Sequence, residues 1–367
     1  MSTADKLLRI DRDPALRRSS YVGMFDLPKG LLMLTIIAFH SINDYNWFTL
    51  WALSRPLPLR LLLSPLTLVH YGLIPALFMI CGFGERREKL INNVRRHIFP
   101  LMKPYFCVMI MVMALVPLRQ LIAGADVAQG LREQGLAFLL GLHLRLKDVG
   151  HIGPMWFPIA YAIAGLLLNL LLRVKWGWLR WVLLTLGAML AILTNKLPIP
   201  FCIQQAMVCT GLMYVGFLLR QRKALTRPLP VWRCVLFWML CIASMAIRGR
   251  VEFSLAVFSN GLLDLAVAYG AGYALLRLLM QLNALQGRLP DAIRWIGRHM
   301  FWLCCIHSAV RLALPWDAFI ALFEPDRIPG FLTEFALQLV IALAGCWLLD
   351  RYVRNRRLQI NERMSAL

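Results

Sequence analysis

A lysine and a histidine enclose an apolar run near the start of the chain, and their side chains could do chemistry. Lys29 and His40 lie in residues 25–40, FDLPKGLLMLTIIAFH. In a helix, eleven steps separate them by about 16 Å, roughly half the hydrocarbon core of a bilayer. The spacing therefore predicts a cation at one depth and an imidazole, suited to acid–base or nucleophilic work, at another. The alternative is a neutral His40 that only hydrogen-bonds to a neighbouring helix.

Several other polar side chains occur in apolar segments at a similar depth, and we expect some of them to lie near His40. They are Asn43, His70, Trp156, Gln204, Asp264 and His307. Each has a plainer interpretation: packing for the two further histidines, helix pairing for Asp264 and an interfacial role for Trp156. The three histidines lack the spacing of paired metal ligands, so we predict no metal site.

The elements that must position these groups are predicted from composition. The chain has 367 residues, of which 59% are hydrophobic and only 16% charged, and its mean hydropathy is +0.63. A soluble domain has about 25% charged residues. The composition predicts an all-α polytopic membrane helix bundle. We expect about ten transmembrane helices at residues 28–43, 64–83, 99–122, 154–172, 179–193, 201–219, 231–247, 253–279, 295–314 and 330–349.

The distribution of positive charge predicts the orientation of these helices. With the N-terminus inside, 29 of the 40 lysines and arginines lie in cytoplasmic segments, so both termini are expected in the cytoplasm. The same distribution accounts for the net charge of +21 through membrane topology, without a nucleic-acid partner. The apolar piece 130–144 is short for a span and suits a re-entrant or interfacial helix. We divide the chain into a cytoplasmic segment 1–26, one integral domain 27–350 and a basic cytoplasmic tail 351–367.

Five short motifs, in order along the chain, resemble those of the acyltransferase-3 family of integral membrane acyltransferases. The first is Lys29-Gly30, followed after ten residues by His40, which is similar to the Lys-Gly, fucose 4-O-acetylase-like variant. The other four are PALFMICGF at 75–83, the pair Arg95-Arg96 before Pro104-Tyr105, PMWF at 154–157, and WIGRHM at 295–300 continuing to His307. Cys81 and Met300 stand where the family commonly has serine.

The resemblance implies an enzyme that moves an acyl group, commonly acetyl, from cytoplasmic acyl-CoA to a sugar hydroxyl. The acceptor would be a cell-envelope or exported glycan, at a bacterial cytoplasmic (inner) membrane. His40 would be the catalytic residue, either as a base or as a carrier of the acyl group. Lys29 would meet the phosphates of coenzyme A with Arg95 and Arg96, although charge that only sets the topology is the alternative for the arginines.

For the acceptor side, the roles are hypotheses from the chemistry of the residues and the expected mechanism. Trp156 would stack on a sugar face, and His70, Asn43, Gln204 and His307 would line the site or orient the imidazole. The partners would be acyl-CoA, a glycan or glycolipid and membrane lipid, and a homodimer is left open. A second class of function also fits ten spans with intramembrane histidines: a proton-coupled secondary transporter or a lipid or glycan flippase.

Overall fold

The chain folds into a bundle of α-helices, which confirms the predicted all-α class. The structure is a computed structural model that describes residues 23–44, 64–143, 150–226, 231–246, 251–323 and 327–365. Its α-helices are α1 Asp26–Asp44, α2 Ser64–Phe83, α3 Leu90–His97, α4 Phe99–Ile122, α5 Val127–Leu140, α6 Trp156–Leu171, α7 Gly177–Leu193, α8 Ile203–Gln221, α9 Val231–Ala246, α10 Leu262–Gln281, α11 Arg288–Arg298, α12 Met300–Ala313, α13 Trp316–Ala321 and α14 Arg327–Ser365.

Apolar helices of membrane-spanning length identify an integral membrane protein. Within the described residues, five stretches are long and apolar enough to cross a bilayer: Leu90–Ile122, Gly153–Leu171, Pro200–Gln221, Leu262–Ala284 and Pro329–Tyr352. Three shorter apolar helices accompany them, at Leu68–Phe83, Gly177–Leu193 and Met300–Ala313. Much of the apolar surface of α4 and α14 is exposed, as is usual for helices that face lipid. The full set of ten spans stays a prediction.

Helix α2 lies at the centre of the bundle because small residues let its neighbours approach closely. A Cβ atom placed on Gly82 would lie 1.9 Å from the carbonyl oxygen of Met213 in α8. In return, a Cβ on Gly216 of α8 would lie 2.0 Å from the carbonyl oxygen of Met79. Backbone-to-backbone contact of this kind is how membrane helices pack without a hydrophobic driving force between them.

Two predicted spans differ from the structure. The span 253–279 begins later, since Val251–Glu252 and Val257–Phe258 form an antiparallel two-stranded hairpin and α10 starts only at Leu262. Ala256 between the strands has a φ of 52°, and Gly261 before α10 has a φ of 58°; both are left-handed values that interrupt a helix.

The span 295–314 is also interrupted, because its first residues belong to the charged amphipathic helix α11 and a new helix, α12, begins at Met300. His299 lies at the break, where its φ and ψ of −100° and 10° leave the helical region. Its Nδ1 atom is 2.9 Å from the carbonyl oxygen of Trp295, and its Nε2 atom is 3.5 Å from the carboxylate of Asp350.

The short piece predicted at 130–144 corresponds to the 14-residue helix α5. Asp126 caps its start by accepting hydrogen bonds from the backbone N–H groups of Ala128 and Gln129, at 2.8 and 3.3 Å. Gly141, in the left-handed conformation, ends it. At the other end of the chain, α14 continues through the predicted boundary between the integral domain and the tail at residue 350.

Segments that the charge rule assigns to the same side of the membrane contact one another. Arg220 donates a hydrogen bond to the carbonyl oxygen of Glu85, and Arg173 Nη2 donates to that of Glu88 at 3.2 Å. These four residues all come from predicted cytoplasmic segments. Two ends of the molecule can therefore be told apart, here called the basic end (residues 84–97, 173 and 220) and the opposite end.

Candidate active site

Lys29 and His40 both belong to the uninterrupted helix α1, so the two residues are about 16 Å apart along the helix axis, as the spacing predicts. The first turns of α1 are held against α11 by close contact. A Cβ on Gly30 would lie 2.0 Å from the carbonyl oxygen of Ile293, and one on Gly297 would lie 1.8 Å from that of Asp26. This packing fixes the start of the helix, and Lys29 with it.

His40 is paired with His307 of α12. The Nδ1 atom of His40 and the Nε2 atom of His307 are 2.8 Å apart, and the two rings are within 16° of parallel. His307 is only 1% exposed, whereas His40 is half-buried. If His40 donates its Nδ1 proton to His307, the basic lone pair of His40 lies on Nε2, the form that a general base requires.

His40 lies at the edge of a cavity of about 590 Å³ at the end opposite the basic end. Trp156 lines this cavity with His143 and His151, and two arginines, Arg119 and Arg311, line it as well. The volume is typical of a pocket for a small ligand. The lining therefore combines a tryptophan face, three imidazoles and two cations.

A second cavity of about 320 Å³ adjoins the first, since His40, Trp156 and Ser254 line both. His70 and Glu252 also line this second cavity. His70 and His40, which were expected to lie near each other, therefore line the same cavity. The His70 ring lies 5.0 Å from the ring of Phe39. Ser254 Oγ donates to Glu252 Oε1 at 3.2 Å.

The basic end contains the two arginines predicted to bind the donor. Arg95 is exposed, while Arg96 donates to the carbonyl oxygen of Gly84 at 2.9 Å and lies 3.7 Å from the buried carboxylate of Glu85. His97 Nε2 is 3.2 Å from the same carboxylate. Arg96 thus has internal partners, and Arg95 is the more accessible cation of the pair.

A short surface loop at the basic end contains an ion pair in which the pKa values of both groups are shifted. Arg86 donates a side-chain hydrogen bond to Glu88. This bond lowers the pKa of the Glu88 carboxyl below its ordinary value and raises the pKa of the Arg86 guanidinium. Both groups therefore stay charged at neutral pH.

Three further candidate residues, Gln204, Asn43 and Asp264, are not among the described residues that line the two cavities. The side-chain amide of Gln204 donates to the carbonyl oxygens of Thr194 and Leu197, the latter at 3.2 Å, and Gln204 lines neither cavity. Asn43 belongs to the last turn of α1, but its side chain lies outside the described residues. Asp264 lies in the first turn of α10 rather than midway along a span. Its carboxylate accepts hydrogen bonds from the backbone and side chain of Asn260.

Several residues that line the cavities are not identifiable from the sequence, because they come together only when distant segments of the chain meet in the fold. Arg119, Arg311 and Glu252 were distinguishable beforehand only as charges in predicted outer segments. Trp316 lines the larger cavity and donates its indole N–H to the carbonyl oxygen of Val310 at 3.1 Å. Among the residues that the structure describes, no group of three histidines, cysteines or carboxylates could hold a metal ion.

Comparisons with protein families, curated proteins and solved structures find no match to this chain. The resemblance to the acyltransferase-3 family therefore stays a prediction, and inferences about function depend on the geometry around His40.

Proposed function

We propose that this chain transfers an acyl group, in the simplest case acetyl, from cytoplasmic acyl-CoA to a sugar hydroxyl of an envelope or exported glycan. The observation that carries the proposal is the position of His40. Its imidazole is hydrogen-bonded to His307 and lines a cavity that also has a tryptophan wall. On the same helix, about 16 Å away, is Lys29, a cation suited to a phosphate.

In this proposal the donor approaches from the basic end. Lys29 and Arg95 contact the phosphates of coenzyme A, and the pantetheine arm extends along α1 towards His40. His40 Nε2 removes the proton from the acceptor hydroxyl, whose oxygen attacks the thioester carbonyl carbon. The C–S bond breaks, the thiolate takes up the proton from His40, and the products are an ester and free coenzyme A. A covalent acyl-imidazole on His40 is the second route, with the same products.

The proposal includes a bacterial cytoplasmic membrane crossed about ten times, with both termini in the cytoplasm. The contacts between Arg220, Arg173 and the segment 85–88 support it, since they join three segments that the charge rule assigns to one side. Labelling of single introduced cysteines with a membrane-impermeant maleimide tests this topology. Labelling from outside at residue 103, in an intact cell, would contradict it.

The decisive experiment measures transfer from radiolabelled acetyl-CoA to a glycan pool by the purified protein in nanodiscs. We expect His40→Ala to lower the rate about 10²–10⁴-fold, the range for loss of a general base. Thr35→Ala is the matched control on the same helix, because the Thr35 hydroxyl donates to the carbonyl oxygen of Leu31 within α1, at 2.8 Å. Equal thermal unfolding midpoints would show that both variants fold. Undiminished transfer by folded His40→Ala would contradict the proposal.

The His40–His307 hydrogen bond also suits a proton relay, so a proton-coupled transporter or flippase is the second candidate. The two functions differ in what they need. Uptake of a labelled glycan into proteoliposomes that depends on a pH gradient and not on acetyl-CoA favours transport. Transfer of label in detergent, where no gradient exists, favours the enzyme.

A further inference from the structure

The larger cavity contains a cation that the acyl-transfer mechanism does not use. Arg119, in the last turn of α4, and Arg311, in the last turn of α12, both line it. The two helices are joined there, because Arg119 Nη1 donates a hydrogen bond to the carbonyl oxygen of Leu312 at 2.9 Å. This bond holds the Arg119 guanidinium at the cavity wall.

The charge of Arg311 has a carboxylate partner nearby. Its Nη1 atom lies 3.8 Å from Glu334 of α14, and the Glu334 side chain is fully buried. Glu334 also accepts a hydrogen bond from Gln338, at 2.5 Å. Arg311 is therefore part of an internal network and has a carboxylate partner within the protein.

Arg119 differs from Arg311 in this respect. Within the described residues no carboxylate forms an ion pair with Arg119, and its hydrogen bond to Leu312 goes to a neutral carbonyl. A guanidinium has five N–H donors in a planar fork, so this bond leaves donors available to a ligand. No aspartate or glutamate is among the described residues that line this cavity.

The lining of the cavity also includes aromatic side chains. Trp156 and Trp316 line the cavity with His143 and His151. The His143 ring lies 6.1 Å from the ring of Trp156 and 6.0 Å from that of His151. Flat apolar faces next to polar groups are the surface that a sugar ring requires, and an arginine fork matches a carboxylate or a phosphate.

We propose that the cavity binds an anionic sugar, with Arg119 holding its carboxylate or phosphate while His40 faces a hydroxyl. The part of this inference that calls the sugar the acyl acceptor rests on the proposed function. The binding itself does not, because it needs no donor and no reaction. The fork geometry favours two parallel hydrogen bonds to one anionic group.

The test measures binding of sugar probes to the full chain in nanodiscs made only of phosphatidylcholine, by saturation-transfer NMR titration. The probes are glucuronic acid, glucose 6-phosphate, glucose and glycerol 1-phosphate. We expect both anionic sugars to bind at least about tenfold more tightly than glucose, since hydrogen bonds to a charged group are the stronger ones. Glycerol 1-phosphate has the anion but no sugar ring, so it should bind more weakly than glucose 6-phosphate.

Variants assign the effect to one side chain. Arg119→Gln should remove the preference for anionic sugars and leave glucose binding unchanged, while Arg119→Lys, which keeps the charge without the fork, should retain part of it. Arg132→Gln is the matched control, since Arg132 belongs to α5 and does not line the cavity. Thermal unfolding checks each variant, and Arg119→Lys decides the matter if Arg119→Gln does not fold.

Several results would overturn the inference. The first is equal affinity of the unaltered protein for glucose and glucuronic acid. The second is that Arg132→Gln loses the preference for anionic sugars as much as Arg119→Gln does. The third is that glycerol 1-phosphate binds as tightly as glucose 6-phosphate, which would identify a lipid headgroup phosphate as the ligand. Acyl transfer to neutral sugars as readily as to anionic ones would contradict the part of the inference that calls the anionic sugar the acceptor, and would leave the proposed function intact. Binding of anionic sugars through Arg119 without any acyl transfer would support the binding inference and contradict the proposed function.

Discussion

The Nδ1 atom of His40 on α1 lies 2.8 Å from the Nε2 atom of His307 on α12, although 267 positions separate them in the chain. A neutral pair shares one proton across this distance. When His40 provides it, the lone pair of His40 is on Nε2; when His307 provides it, Nε2 of His40 carries a proton and cannot act as a base. In the proposed mechanism His307 is therefore a positioning residue, because the ring that provides the proton decides the tautomer of His40.

Removing the partner should lower the rate without weakening donor binding. We expect His307→Ala to reduce kcat for acyl transfer about 10²-fold, within the range for general base catalysis, and to leave the KM for acyl-CoA unchanged. His307→Gln should recover part of the rate, because its side-chain oxygen can accept the proton of His40 Nδ1. Initial rates over a range of acetyl-CoA concentrations separate the two constants. A rise in KM alone, or equal rates for the two variants, would indicate a structural role.

The contact between α1 and α11 predicts a site where one methyl group disturbs the fold. Gly30→Ala would place a Cβ atom 2.0 Å from the carbonyl oxygen of Ile293, which belongs to the backbone and cannot turn away. Overpacking of this kind costs about 1–3 kcal/mol, so we expect a lower unfolding midpoint. Thermal unfolding in detergent, followed by circular dichroism, measures it.

The control for this prediction is another glycine in a helix. At Gly177, the first residue of α7, a Cβ atom would have no heavy atom within 4 Å among the described residues, so Gly177→Ala should leave the unfolding midpoint the same or raise it. Equal effects of the two substitutions would mean that α1 and α11 separate easily. The anchoring of Lys29 by this helix contact would then be wrong.

The position and length of the apolar runs were sufficient to predict most helices of this bundle. The helices α2 and α4 have the predicted bounds, residues 64–83 and 99–122, because both lie in mainly apolar stretches of spanning length. The prediction failed at His299 and at 251–261. Both places lie in stretches that were predicted as single spans, and the interruptions depend on backbone conformation and on contacts such as that of His299 with Asp350.

The candidate site was predictable only in part, for a related reason. Local spacing identifies Lys29 and His40 as one unit, since both are on α1. It does not indicate that His307 hydrogen-bonds to His40, which depends on how α1 and α12 pack, or that Arg119 is held by Leu312, which depends on how α4 and α12 cross. Gln204 shows the converse: depth alone placed it with His40, yet its amide binds the turn after α7.

The cation at the other end of α1 should affect the donor and not the acceptor. We expect Lys29→Ala to raise the KM for acetyl-CoA about tenfold, because a charge-assisted contact to phosphate is lost, and Lys29→Arg to stay near the original value. Lys103→Ala is the control, since Lys103 is exposed on α4 in the same predicted cytoplasmic region. Rates at varied acetyl-CoA with a fixed glycan concentration measure the effect. An unchanged KM in Lys29→Ala would contradict the docking role.

Trp156 belongs to both cavities that His40 lines and is only 6% exposed, so its ring should contact the acceptor rather than lipid. We expect Trp156→Ala to raise the acceptor KM about tenfold and Trp156→Phe to raise it less, since phenylalanine keeps an aromatic face. Trp178→Ala is the control, because Trp178 is 67% exposed on α7 and lines neither cavity. Acceptor titrations at saturating acetyl-CoA give both constants. If Trp178→Ala had the same effect as Trp156→Ala, the loss would reflect weaker membrane anchoring, and Trp156 would have no role in holding the sugar.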